Sequence, residues 1–166
     1  MSVWLSGHEV ARLVRSRLPE AVEEESEGYV AVYPEVLHEV CRHLQREFDI
    51  NYLNNLTACD YLDYLEVVYH LSSLERNHLL TLKVRCYDRD HAVVPSLTPL
   101  WQGADLQERE VYDLFGVVFT GHPNLKRLVT WEGFKGHPLR KDFVMQPFPQ
   151  PPGSPVRKRG AELGID

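Results

Sequence analysis

Three stretches of the chain have hydrophobic residues three and four positions apart, which is the spacing of an amphipathic helix. They cover residues 6–18, 34–48 and 105–115. Pro19 ends the first stretch, and Gly116 suits the left-handed position that follows a helix. The pattern therefore predicts three helices, each with one apolar face in the core.

Local polar pairs predict how two of these helices are held. Residues 6–9 (S-x-x-E) and 105–108 (D-x-x-E) have the spacing of a capping box. Arg109 and Asp113 lie four positions apart on the third helix and predict an ion pair along its surface. We expect these contacts to be local to each helix.

Alternation of apolar and polar residues predicts strands elsewhere. It is clearest at 65–71 and 80–86, which the short turn 72–77 joins as an antiparallel hairpin. Residues 29–33 are rich in β-formers, and 50–57 have a weaker strand pattern. The element order predicts an α+β fold, with a mostly antiparallel sheet and helices packed on one face.

Proline content divides the chain into two parts. Five of the 11 prolines fall within residues 144–166, where they prevent a helix or central strand before Pro155. We therefore expect one α+β domain over residues 1–143, followed by an extended Pro-rich C-terminal arm over 144–166. This arm is either a disordered end or a segment laid over a partner.

Composition excludes several classes of protein. The 166 residues are 43% hydrophobic and 25% charged, as in globular proteins, and no apolar run is long enough for a transmembrane helix. The net charge of −6 does not favour binding to nucleic acid. The N-terminus lacks the pattern of a secretory signal. Three isolated cysteines without a CxxC motif indicate a reducing compartment and no zinc or iron–sulfur site built from this chain alone.

Charge is uneven along the chain. Residues 20–27 hold five glutamates and no base, which favours a solvated loop, whereas residues 122–142 are mainly basic. This basic stretch contains His122 and His137, each within Gly-His-Pro. The two histidines either bind a phosphate or a metal together, with Glu110 or another acid as a further ligand, or each bonds to backbone, which is the commoner case.

Two sequence blocks carry a family resemblance. Residues 108–128 read ERE-x-YDLFGV-x-F-x-GHP-x-L-x-RL, and residues 136–143 read GHPLRKDF. Together they resemble the signature of the C subunit of NADH-quinone oxidoreductase, the respiratory complex I. The resemblance extends more weakly upstream and covers about residues 50–143.

The resemblance implies a non-redox subunit in the peripheral arm of a proton-translocating complex. Such a subunit docks and positions the quinone-site D subunit while electrons pass from NADH through iron–sulfur centres to quinone. It belongs to an enzyme, a translocase, but no active site of its own is expected. No cofactor is expected on this chain, since FMN, the iron–sulfur clusters, NADH and quinone are bound by other subunits.

The resemblance also implies partners and a location. The expected partners are the D, B and I subunits of complex I, with no nucleic acid, and contact with the membrane only through the complex. We expect a peripheral position at the cytoplasmic side of the cell membrane.

Charged, aromatic and His-Pro residues of the two blocks and the segment between them are the expected interface. Arginine and aromatic side chains are frequent hot spots of protein interfaces. Phe115 and Phe119 are expected in the core instead. The predicted subunit-interface residues are Glu108, Arg109, Glu110, His122, Pro123, Arg127, Trp131, His137, Arg140, Lys141, Asp142 and Phe143.

Two other functions stay open at this point. Membrane-bound hydrogenases, and quinone oxidoreductases fed by ferredoxin or coenzyme F420, carry similar subunits. A free-standing binding module or assembly factor with the same domain is the other alternative. The electron-input site lies on other chains, so this sequence does not separate them.

Overall fold

The computed structural model describes residues 3–144, in which three α-helices and eight strands follow the periodicity of the sequence. In chain order they are β1 (Val3–Trp4), α1 (Gly7–Arg17), β2 (Val22–Glu25), β3 (Val30–Val32), a 3₁₀ turn (Pro34–Val36), α2 (Leu37–Phe48), β4 (Tyr52–Asp60), β5 (Leu65–Ser73), β6 (His78–Cys86), β7 (Val93–Pro95), α3 (Ala104–Phe115) and β8 (Val118–Thr120). The predicted Pro-rich arm lies outside the described residues, except for the exposed Val144.

The main sheet has the strand order β2-β3-β6-β5-β4, with β1 also beside β6. The pairs β2–β3, β4–β5 and β5–β6 are antiparallel, whereas β3 and β1 run parallel to β6. The hairpin predicted for β5 and β6 is confirmed, and β4 is longer than the predicted segment 50–57. The chain is therefore α+β with a mostly antiparallel sheet, as expected.

One face of the sheet forms the core. Val67 faces Val84 across the β5–β6 pair, and the next pair in register is Tyr69 with Leu82, all fully buried. Helices α1 and α2 add their apolar stripes to the same cluster. Their fully buried members are Val10, Ala11, Val14, Leu37, Val40, Cys41 and Leu44.

The acidic stretch 20–27 corrects the sequence prediction, because it contains strand β2 and not only a solvated loop. Cations on neighbouring elements neutralise the strand: Arg85 lies 2.5 Å from Glu24, and Arg15 pairs with Glu25. Both arginines are distant in sequence, so composition alone suggested a solvated run. The charges instead lie on an edge strand, where charged side chains discourage pairing with another chain.

Both predicted capping boxes are wrong. The Ser6 hydroxyl donates to the Glu27 carboxylate, and neither Ser6 nor the residue before α3 makes a side-chain cap. Helix α3 starts at Ala104, and the Glu108 carboxylate turns inward to the Leu97 backbone. Tertiary partners therefore replace the local ones that the spacing predicted.

Helix α3 lies along the edge strand β4. The Leu56 N–H donates to the Gln107 side-chain oxygen at 2.6 Å, so the helix satisfies one backbone group of the open edge. After α3, strand β8 pairs in parallel with β7 as a separate two-stranded sheet. The chain then enters residues 121–144, which contain no helix or strand.

Candidate subunit-docking surface

Asp113 on α3 anchors the segment that follows β8. Its side chain is fully buried and accepts the backbone N–H groups of Leu128, Val129 and Thr130 at 3.0, 2.7 and 2.7 Å. Burial alone would raise the pKa of Asp113, but these bonds, with those from the Thr130 hydroxyl and Arg127, lower it to about 2. One ionised carboxylate thus fixes a turn that lies 15–17 positions away.

Arg127 joins two parts of this segment. Its guanidinium contacts the Asp113 carboxylate at 2.7 Å and donates to the Gly136 carbonyl at 3.0 Å. The surface ion pair predicted between Arg109 and Asp113 is therefore wrong, since Asp113 is buried against Arg127. Arg109 instead donates to the carbonyls of Lys126 and Arg127.

His122 holds the segment at the first turn of α3. The His122 side chain is fully buried, and its Nδ1 accepts the Asn124 N–H at 3.0 Å. That bond leaves the proton on Nε2, which donates to the Asp105 carbonyl at 3.1 Å. The next residue, Pro123, is exposed.

His137 holds the segment at the other end of α3. Its Nδ1 donates to the Asp113 carbonyl at 2.9 Å, and the Leu139 N–H donates to the Leu114 carbonyl at 3.0 Å. Both carbonyls belong to the last turn of the helix, whose acceptors lack partners within the helix. Gly116 follows with φ = 82°, as predicted for the residue after the helix.

The two histidines therefore bond to backbone at opposite ends of one helix. Asp105 and Asp113, whose carbonyls they contact, are eight residues apart, which corresponds to about 12 Å along the axis. This separation does not suit a shared metal or phosphate. Within residues 3–144, no group of three or more His, Cys, Asp or Glu side chains is arranged to hold a metal ion.

The GHPLRKDF block is tied to the end of the main sheet through Asp60. The buried Asp60 carboxylate accepts the Lys141 N–H at 2.8 Å and contacts Arg89 at 2.7 Å. Arg140 is only 12% exposed at its side chain and lies 3.5 Å from Asp90 and 3.3 Å from Asp142. Arg140 is thus largely engaged within the chain, whereas the Lys141 and Asp142 side chains are exposed.

Aromatic rings fill the space beneath the same block. Trp131 and Phe134 are in edge-to-face contact, with ring centroids 4.8 Å apart, and Phe134 stacks with Phe143 at 5.9 Å. All three rings are half-buried. Phe115 and Phe119 are buried in the main core, as predicted.

The ERE motif divides between the inside and the outside of the molecule. Glu108 is fully buried, and burial raises its pKa to about 7, although hydrogen bonds from Ser96 and Leu97 oppose the shift. Glu110 is exposed. Of the two glutamates expected at the interface, only Glu110 has a surface to offer a partner while the fold is intact.

The outer side of this segment carries apolar and basic side chains that face solvent. We call the exposed side chains of residues 123–141 the loop surface. Its exposed aliphatic members are Leu128, Val129 and Leu139, at 41%, 63% and 53% exposure. Its exposed lysines are Lys126, Lys135 and Lys141. Because the backbone beneath is held by Asp113, Arg127 and the two histidines, these side chains are displayed at fixed positions.

Sequence reasoning missed the three aliphatic members of the loop surface. Charged and aromatic residues were expected to form the interface, and several of them hold the segment from within instead. The available signal was the aliphatic pair Leu128-Val129 in a stretch without helical or strand periodicity. Such a pair has no regular element to bury it, and exposed apolar patches often mark interaction sites.

Comparison with known families gives a match over most of the chain. The family described as "Respiratory-chain NADH dehydrogenase, 30 Kd subunit" matches residues 30–149. This range includes α2, α3 and both sequence blocks. Among residues 3–144, every helix is too short or too polar to span a lipid bilayer.

Relatives of this family occur in bacteria and mitochondria. The chain is 44% identical over 145 residues to the C subunit of NADH-quinone oxidoreductase from Roseiflexus sp. (strain RS-1), covering 82% of this chain and 83% of the relative. It is 50% identical over 105 residues to the same subunit from Moorella thermoacetica, covering 62% and 70%. A probable mitochondrial 30.4 kDa subunit of NADH-ubiquinone oxidoreductase from Candida maltosa is 39% identical, with 82% and 52% covered.

A solved structure has a similar fold. It is a chain of the membrane-bound sulfane sulfur reductase, an archaeal respiratory membrane complex. The TM-score is 0.66 at 26% identity, and the match covers 84% of this chain and 86% of that chain.

Proposed function

Because the chain belongs to the family of the 30-kDa subunit of respiratory-chain NADH dehydrogenase, whose bacterial members carry the letter C, we propose that it docks and positions the quinone-site D subunit. The complex would be a proton-translocating NADH-quinone oxidoreductase. The chain's contribution is mechanical: it holds a neighbour in place while electrons pass from NADH through iron–sulfur centres to quinone.

The observation that supports this role is the loop surface. It offers exposed Leu128, Val129 and Leu139 beside three lysines, on a backbone fixed by polar side chains. Rigid presentation reduces the entropy that a surface loses on binding. A prearranged apolar centre with a charged rim is the usual composition of a protein interface.

The proposal assigns the redox chemistry to companion chains. FMN, the iron–sulfur clusters, NADH and quinone would be bound there, and this chain would bind none of them. The partners would be the D, B and I subunits, and the chain would reach the membrane only through the complex, at its cytoplasmic side. Lys141 and Asp142 in the exposed part of GHPLRKDF would form ion pairs at the rim.

The test is co-purification of companions with the tagged full-length chain. Val129→Gln together with Leu139→Gln removes two apolar side chains without adding charge. Losing about 1–2 kcal/mol of binding at this centre reduces recovery of the quinone-site subunit about tenfold or more. Recovery is measured by quantitative mass spectrometry of the purified complex.

A matched control variant separates docking from general surface effects. Leu74→Gln with Val3→Gln changes residues of similar exposure, 64% and 56%, that lie away from the loop surface. The control is expected to retain all companions. Equal recovery with both double variants would remove the loop surface from the interface, and wild-type chain recovered without companions would end the proposed function itself.

A second candidate function rests on the archaeal structural relative. That relative belongs to a respiratory membrane complex with a different named activity, so the same fold also occurs outside NADH-quinone oxidoreductases. Related hydrogenases, ferredoxin-fed complexes and F420-fed complexes are included here. The same mass-spectrometric experiment discriminates them, because recovery of an NADH-binding flavin subunit supports the first function and its replacement by a nickel-ligating or ferredoxin-oxidising subunit supports the second.

A further inference from the structure

A second surface of the molecule is a groove of about 940 Å³ that is wide open to solvent. It lies where the turn between α1 and β2 approaches the 3₁₀ turn before α2. The Tyr33 N–H donates to the Ala21 carbonyl at 3.2 Å, which holds the two sides together. Leu18, Pro19, Val22 and Val36 add apolar surface to its lining.

The rim of this groove is acidic. Glu20 and Glu35 line it, both are exposed, and neither makes an ion pair within residues 3–144. Nearby glutamates differ, since Glu24 and Glu25 are engaged by Arg85 and Arg15. The groove therefore has a negative charge that the described part of the chain leaves uncompensated.

We propose that this groove docks an extended segment of a companion protein in the complex, one that carries an apolar side chain flanked by two basic ones. The apolar side chain packs on Leu18, Pro19 and Val36, and the basic side chains pair with Glu20 and Glu35. The inference rests on the proposed function, because it assumes that the chain works within a complex. It adds a second contact, remote in sequence from the loop surface and opposite to it in charge.

The shape of the groove favours a peptide segment over a small molecule. A small-molecule site encloses most of its ligand, whereas this groove is shallow and open on one side. Tyr33 stands at its side with 44% of its surface exposed, and an exposed tyrosine offers both a ring face and a hydroxyl to a passing chain. Charge complementarity selects a basic partner, since two unpaired carboxylates repel an acidic one.

The experiment is zero-length carbodiimide cross-linking of the intact purified complex, which joins a carboxylate to a lysine amine that it contacts. Cross-linked peptides are identified by mass spectrometry. The expected product joins Glu20 or Glu35 to a lysine of a companion protein. A product with Lys158 of the same chain, or with a second copy of it, would assign the groove to another occupant and overturn the proposal.

A binding measurement covers a partner that uses arginine, which carbodiimide does not couple. Full-length chain is titrated into its complex from which this subunit has been stripped. Glu20→Lys with Glu35→Lys is expected to raise the apparent dissociation constant about tenfold, and Glu47→Lys with Glu75→Lys, which alters exposed glutamates elsewhere, to leave it unchanged. Equal affinity of both variants, without companion cross-links, overturns the groove contact; failure of the wild-type chain to rebind instead overturns the proposed function.

Discussion

Strands β4, β5 and β6 and the segment 121–144 are both well ordered parts of one fold, yet different forces hold them. The strands have continuous backbone ladders and bury one apolar face, so each residue contributes a similar small share. The segment has no ladder and depends on a few polar side chains, among them Asp113, Arg127 and His137.

This difference decides where a single change is costly. In the strands, loss of one side chain leaves neighbouring contacts in place. In the segment, Asp113 alone accepts three backbone N–H groups and an arginine, so one carboxylate serves several partners. A surface built in this way keeps its aliphatic residues exposed, whereas a strand of the same composition would bury them.

The largest expected effect follows from Asp113→Ala. The change leaves Arg127 without its carboxylate and three N–H groups without their acceptor, which costs about 3–5 kcal/mol of unfolding free energy. Urea denaturation measures this loss, and hydrogen exchange should show residues 128–130 unprotected.

A core substitution supplies the contrast. Leu82→Ala in β6 costs a comparable amount, about 2–5 kcal/mol, by leaving a cavity. It should, however, retain protection of residues 128–130 in the native state. If both variants lost protection there to the same degree, the segment would be stabilised by the sheet and not by Asp113.

The two buried carboxylates of α3 give an intermediate effect that depends on pH. The pKa of Glu108 is raised from its ordinary 4.5 to about 7, so the folded state holds a proton that the unfolded state loses. Stability therefore falls as pH rises from 4.5 to 7, by roughly 3 kcal/mol at about 1.4 kcal/mol per unit. Asp113 has the opposite dependence: its pKa is lowered to about 2, and its contribution is lost as pH falls from about 4 to 2.

The measurement compares the wild-type chain with Glu108→Gln in urea denaturation at pH 5 and pH 8. Glutamine is neutral throughout, so the difference in unfolding free energy between the proteins isolates Glu108 from the histidines. The wild type should lose roughly 3 kcal/mol more than the variant over this interval. Identical pH profiles would mean that Glu108 is ionised inside the fold.

The same contrast explains what could be predicted from the sequence. The three helices and the β5–β6 hairpin have periodic apolar positions, and a period survives without knowledge of tertiary partners. Strands β1 and β7 were missed because two or three residues are too short to have a period. The strand β2 was missed because its acidic residues are neutralised by arginines from other elements.

The candidate site was predicted in place but not in detail. The two sequence blocks identify the segment, yet spacing does not distinguish a residue that supports a surface from one that forms it. Asp113 was assigned to Arg109 because they are four apart, whereas its actual partner, Arg127, is 14 apart. The exposed Leu128 and Val129 follow from that long-range contact, which no local pattern encodes.

The smallest effect tests how closely the segment fits against α3. Gly116 and Gly121 both have positive φ, 82° and 80°, so alanine at either position costs about 1–2 kcal/mol in backbone strain. At Gly116 an added Cβ would also lie 2.7 Å from the His137 ring, whereas at Gly121 it meets nothing within 4 Å. Gly116→Ala should thus lose about 1 kcal/mol more unfolding free energy than Gly121→Ala, since a packed interior tolerates added atoms poorly. The excess should disappear when each variant is made in a His137→Ala background. Equal losses in both backgrounds would mean that the ring does not rest on the end of the helix, and that α3 and the segment are held by Asp113 and Arg127 alone.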